Sequence, residues 1–374
     1  MRRELESVEI PGEHEVRERT WRVLEAAFAE RQPAERGRAR MLRLAIAIAV
    51  LVAALAAVLS PPGRAVLGEL REAVGVERAQ PALFSLPAPG RLLVASDAGV
   101  WIVQQDGSKR LLGPYREASW SPFGRFVVAA RDNELAALEP DGDVRWTLSR
   151  PGVRSPRWAG TETDTRIAYV DTTGLRVVAG DGTGDRLVVP GARAPLAWRP
   201  GSLSELTYVD RRGRVALLDL ASGRTRWRAN HDGRVFELAW SSDGRRLVAT
   251  GSAAVNDVVV YTPRGARFTG FRVDPGVVTS VAVKPRRHDQ AIAVFANRHS
   301  RLLLPGVRGV ALSGPGALAD LAWATDASWL LVGWPAADQW VFVRGDGARI
   351  RAVSDVSEQF RSQSFPRVQG WCCG

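Results

Sequence analysis

A chain of stacked, four-stranded antiparallel sheets is the fold this sequence predicts, on three observations. First, relatives of LAWSSDGRRLVAT (residues 238–250) return along the chain: ASWSPFGRFVVAA from Ala118, PRWAGTETDTRIAYV from Pro156, LAWRPGSLSELTYVD from Leu196, VAVKPRRHDQAIAVF from Val281 and LAWATDASWLLVGW from Leu321. Second, their anchors Trp120, Trp158, Trp198, Trp240, Val283 and Trp323 are spaced by 38, 40, 42, 43 and 40 residues, a period of the β-propeller architecture. Third, the C-terminal tail is too short for a further repeat, while three strand-like runs stand unassigned before Ala118: RLLVASD (91–97), VWIVQQDG (100–107) and KRLLGPY (109–115). The expectation is an all-β, seven-bladed β-propeller over residues 86–374, six blades continuous and one shared closing blade built from both ends. Phe365, 42 residues after Trp323, is the expected seventh anchor.

Each repeat carries its own logic. The anchor precedes a turn such as SSDG (241–244), where Asp and Gly tolerate the turn backbone. An apolar strand follows, then a second strand, a polar turn and a third. One such sheet cannot bury both faces alone, so its neighbours must stack on it. The anchor tryptophans are therefore expected to wedge between blades.

The residues ahead of the propeller read differently. Residues 1–40 form a polar segment, with ten basic and nine acidic residues through Arg43. Within it, the stretch from Glu15 to Arg31 places Val16, Val23, Leu24, Ala27 and Phe28 at helical spacing, flanked by Trp21. It is too small to hold a core of its own, so it is read as a membrane-proximal helix, a docking helix for a cytoplasmic regulator or a self-association contact.

From Leu44 to Leu59 every residue is apolar, and residues 41–60 supply the 20 residues that a bilayer core requires. Five arginines against one glutamate in residues 31–43 place that flank in the cytoplasm, because residues 61–80 balance three of each. The expectation is a single-pass transmembrane helix with residues 1–40 inside and the propeller extracytoplasmic. A cleaved signal peptide, with Ala54 and Ala56 before the cut, competes with this but needs a far shorter leading region. Residues 61–85 then read as a juxtamembrane stalk and linker, opened by Pro61 and Pro62.

Composition limits the function. Net charge is +11, and 49 of the 51 basic residues are arginine, since only Lys109 and Lys284 are lysine. These arginines are scattered through turns and strands, and the membrane separates most of them from nucleic acid, so no nucleic-acid partner is expected. No nucleophile elbow, zinc-protease helix, phosphate loop or dinucleotide fingerprint occurs in a suitable context. His14, His231, His288 and His299 are isolated. DGTGD at Asp181 to Asp185 has a calcium-loop flavour yet falls where the repeat needs a turn, so no metal and no cofactor is expected. Cys372 and Cys373 are expected as free thiols, a bridge to another chain or packed tail residues. Trp329, Trp334 and Trp340 offer either an aromatic binding face or packing between blades, and packing is favoured.

The W-S-x-D-G turn at Trp240 to Gly244, echoed at Trp120 to Gly124, resembles the repeats of TolB-like and WD-repeat-like propellers. VALLDLASGRTRWR (215–228) and LAALEPDGDVRWTL (135–148) are similar to repeats of quinoprotein-type and outer-membrane-assembly propellers. The TolB-like resemblance implies work through protein contacts, and a quinone cofactor is not implied. The layout also resembles actinobacterial membrane-bound propellers of undefined role, some beside sigma-factor systems. The function expected is a membrane-anchored, non-enzymatic module that binds a protein or an envelope polymer. The alternative is an anti-sigma-like transmembrane regulator acting through Glu15 to Arg31, with an enzyme on the propeller ranked below both.

Overall fold

The computed structural model describes residues 85–231, 233–252, 257–272 and 276–373. Among them, seven four-stranded antiparallel sheets make seven blades. We number the blades from the first continuous one. Their inner strands are Glu117–Trp120, Arg154–Gly160, Arg193–Trp198, Arg234–Trp240, Val277–Val283, Ala319–Trp323 and Arg367–Cys372. Successive inner strands touch one another around the full circle, blade 7 against blade 1 included, so the ring is closed.

Blade 7 is the shared one. Its inner strand Arg367–Cys372 comes from the C-terminus and pairs antiparallel with Arg91–Ser96, which pairs in turn with Gly99–Val103 and Lys109–Gly113. This is the closure that the sequence predicts, and it removes the free sheet edge. The anchor of this blade is a correction: Phe365 lies in the connection before the strand, where it packs on Gly333 of blade 6, and the anchor position within the strand is held by Trp371, 7% exposed and 5.8 Å from Phe342 edge to face. The shift has a physical cause. The connection 354–366 carries an extra helix, Val356–Gln359, and its Phe360 seals the aromatic cluster of blades 6 and 7 at 5.0 Å from Trp340 and 5.8 Å from Trp101.

The anchors do wedge between blades, and they do so with a polar tip as well as an apolar body. Trp198 donates its indole N–H to the Arg157 carbonyl of blade 2, Trp240 to the Thr207 hydroxyl of blade 3, and Trp323 to the Ala282 carbonyl of blade 5. A second tryptophan set works in the opposite direction. Trp146 and Trp227, at the ends of the two LAALEP- and VALLDL-type units, reach forward to the Gly180 and Pro263 carbonyls of the next blade. Each ring lies flat against a glycine of the turn it reaches: a Cβ on Gly182 would stand 2.8 Å from Trp146, and one on Gly265 2.6 Å from Trp227, both at positive φ. That close approach is why these turns need glycine.

Trp329, Trp334 and Trp340 are 8%, 0% and 0% exposed, so they are blade packing and present no aromatic face. Cys372 and Cys373 end the inner strand of blade 7 in a side-by-side arrangement of their sulfurs. The left-handed φ of Cys373 accompanies it, and its sulfur packs on the Gly124 turn of blade 1. Among the described residues no helix is long and apolar enough to cross a membrane. The amphipathic segment 15–31, the apolar segment 41–60 and most of the linker 61–85 lie outside the described residues.

Candidate binding channel

The inner strands surround a central channel, and the position three residues before each anchor controls what faces it. Those positions hold Glu117, Ser155, Pro195, Glu237, Ser280, Asp320 and Val368. The inner strands of blades 2 to 7 each break register close to this point. Such a bulge re-aims a side chain without unzipping the sheet.

The re-aimed polar groups link blade to blade. Glu117 accepts the Ser155 N–H of blade 2, and Glu237 accepts the Val281 N–H of blade 5 at 3.0 Å. Ser280 accepts the Leu321 N–H of blade 6 at 3.2 Å, and Asp320 accepts the Val368 N–H of blade 7 at 3.1 Å. Four of the seven seams are thus tied by a hydrogen bond from this column to a backbone N–H of the next blade. Between blades 2 and 3 the next residue is Pro195, which has no N–H to give. In the sequence this ring is a column three residues before each anchor, polar in five of the seven blades.

Around the ring lies a cavity of about 350 Å³, lined by Arg157, Phe236, Glu237, Asp320, Arg367 and their neighbours. Arg157, Glu237 and Asp320 are half-buried there. Burial pushes the Glu237 carboxyl up to about 7, and the charge of Asp320 adds to it; the Val281 N–H and Arg157 pull the other way without prevailing. Burial also raises Asp320, against the Val368 N–H and Arg367. Desolvation lowers Arg157, which Glu117 and Glu237 counter. The channel therefore holds a coupled, mixed-charge cluster whose net charge changes near neutral pH.

A stability consequence follows with a definite sign. The folded value of Glu237, about 7, stands above its ordinary 4.5. Its contribution is full below the unfolded value and is lost as pH rises through the folded one. Glu237→Gln removes that slope. Relative to the unaltered chain, its unfolding free energy in urea should match near pH 4.5 and exceed it by roughly 2–3 kcal/mol at pH 8. Parallel pH curves for the two proteins would contradict this assignment.

The remaining candidates behave as parts of the fold. In DGTGD, Asp181 accepts the Thr183 N–H at 3.0 Å and its hydroxyl at 2.7 Å, closing a turn, while Asp185 belongs to an ion-pair hub. His288 sits 3.4 Å from Asp243 at the surface, His299 is exposed, and His14 lies outside the described residues. Among the described residues no group of three or more His, Cys, Asp or Glu could hold a metal ion.

Fold and channel together define the class: the chain is a seven-bladed β-propeller. It is similar to a solved structure, the Cps50 (Swd1) β-propeller domain of Myceliophteria thermophila, with a TM-score of 0.53 and 13% identity, covering 68% of this chain and 94% of that one. At that identity the likeness speaks to fold alone. No protein-family model matches the chain, and no curated protein matches it in sequence.

Proposed function

We propose that this chain is a non-enzymatic binding module that holds a protein or envelope partner at the mouth of its channel. Residues 41–60 anchor it as a single span, with residues 1–40 cytoplasmic and the propeller outside. The observation that carries the reading is the open channel itself. Its wall sets two arginines beside two carboxylates in a cavity of about 350 Å³. Both carboxylates already accept a backbone N–H across a blade seam. Groups held this way are fixed in place, which suits recognition. Propellers commonly serve as interaction modules, and the W-S-x-D-G turn at Trp240 supports a TolB-like relationship, with work through protein contacts.

Topology is the part most open to test. An epitope fused after Gly374 should be stripped by protease added to intact cells, while one fused before Met1 should survive until lysis. Loss of the N-terminal epitope, or survival of both with recovery in the soluble fraction, would overturn the anchored arrangement. The amphipathic stretch 15–31 supports a second reading, a regulator that grips a cytoplasmic partner. Deleting residues 1–40 should then change transcription of a target gene, and an unchanged transcript profile would end that reading.

A further inference from the structure

The two ends of the channel differ in charge. Antiparallel order places the starts of the inner strands, and the turns between second and third strands, on one face of the ring. On that face the inner strands of blades 2, 3, 4 and 7 begin on Arg154, Arg193, Arg234 and Arg367, and Arg116 directly precedes that of blade 1. All five are exposed. Arg116 pairs with Asp132 at 3.1 Å, an exposed pair of small worth. Among the described residues Arg154, Arg193 and Arg234 have no ion-pair partner, and Arg367 has none in direct contact, its charge acting on Asp320 across the channel. The turns on this face add exposed Arg211, Arg212 and Arg298.

Among the described residues the acidic groups here are mostly engaged. Asp97 is folded into the loop before blade 7, accepting the Gln363 and Ser364 N–H groups at 2.8 and 3.0 Å and the Ser364 hydroxyl at 2.8 Å. Asp210 is buried and paired with Arg214, and Asp171 is buried in its own turn. Asp355 and Glu358 remain exposed in the connection that leads to blade 7. The opposite face differs, because its turns mix arginines with exposed acids such as Asp141, Asp164, Asp243 and Asp346.

The basic rim also encloses something for an apolar group to touch. Phe236 and Val277 are 36% and 42% exposed at this mouth, and Phe236 lines the channel cavity. A second cavity of about 710 Å³ opens beside it between blades 7 and 1, lined by Tyr115, Arg116, Arg131, Phe365 and Arg367 among others. Guanidinium groups match carboxylates two bonds at a time. The cavity that Phe236 lines opens inside the ring of arginines, so a single extended chain that enters it can reach both, which a flat bilayer does not do.

We propose that this mouth docks an acidic polypeptide segment whose carboxylates meet Arg154, Arg193, Arg234 and Arg367 and whose apolar side chain covers Phe236. The inference rests on the reading of the chain as a binding module, and it selects the face and the chemistry of the partner.

The test uses the full chain in detergent and fluorescence anisotropy with three probes: a short labelled peptide of alternating Glu and Phe, its Lys-for-Glu counterpart, and phosphatidylglycerol vesicles. The acidic peptide should bind, the basic one should not, and salt should weaken the complex by about tenfold between low and high ionic strength. The variant R154E/R193E/R234E/R367E should lose about tenfold or more in affinity. R245E/R264E/R308E, on the other face, should bind as the unaltered chain does, and circular dichroism melts should show both variants folded.

If the rim variant melts early, Phe236→Ala and Arg193→Glu alone should each still weaken the peptide. Equal binding of the basic peptide, or loss only in the other-face variant, would overturn the inference and leave the binding-module reading standing. Preference for vesicles over the peptide would overturn the polypeptide assignment. Failure of every probe, together with failure of cells to yield any crosslinked partner, would remove both readings.

Discussion

Asp185→Ala should destabilise the propeller by about 3–5 kcal/mol, the scale of a broken buried ion pair. The Asp185 side chain is 6% exposed and gathers two blades. Arg150, from the end of blade 1, contacts it at 2.5 Å, while Arg176 of blade 2 contacts it at 2.6 Å and the Tyr169 hydroxyl at 2.5 Å. Burial by itself raises its carboxyl, but the hydrogen bonds from Arg176, Tyr169 and Arg150 outweigh that and hold it below the ordinary value. Removing the carboxylate leaves the Arg176 guanidinium, only 16% exposed, with Asp171 alone at 3.7 Å, and takes from the Tyr169 hydroxyl its acceptor inside the blade.

The pH sign is opposite to that of Glu237. The stability from Asp185 is present above its unfolded value and is lost as pH falls through the folded one. Urea unfolding at pH 7 and near pH 3 checks both statements: the variant should differ greatly from the unaltered chain at the first and less at the second. A loss under about 1 kcal/mol at pH 7 would show the hub to be a surface pair.

Trp334→Ala should cost a similar amount, about 3–5 kcal/mol, through a cavity instead of a charge. Trp334 belongs to blade 6 and is fully buried against blade 5, where its N–H meets the Pro315 carbonyl at 2.8 Å. Gly314 lies so close to the ring that a Cβ there would overlap it. Truncating the indole opens the seam between the blades and leaves the Pro315 carbonyl without its donor. The melting midpoint should fall by on the order of 10 °C, and Trp334→Phe should recover part of the loss. A melt unchanged by Trp334→Ala would mean that this seam does not limit unfolding.

The ring was legible because a propeller writes its period into the chain. Five Trp anchors and one Val at near-constant spacing fixed six blades, and the unpaired runs before Ala118 fixed the seventh. The turn chemistry at Ser241 to Gly244 was equally direct. What misled the reading of Phe365 was spacing: the Val356–Gln359 helix lengthens one connection, and a period alone does not register an insertion.

The channel was half legible. Glu117, Glu237 and Asp320 occupy one column of the repeat, yet their bonds run to backbone N–H groups of the next blade, which no residue type signals. The charged rim escaped for a related reason. Arg154, Arg193, Arg234 and Arg367 stand far apart in the chain and look scattered, and only the closed ring gathers them at one mouth.

The central claim is that partners bind at the arginine-rimmed mouth. A photo-crosslinking amino acid placed at Val277 on that rim, and in a second strain at Arg264 on the opposite face, tests it most directly in intact cells. The account predicts a discrete crosslinked protein from the Val277 position that disappears when Arg193 and Arg234 are changed to glutamate, and none from Arg264. A discrete adduct from Arg264 alone would contradict it.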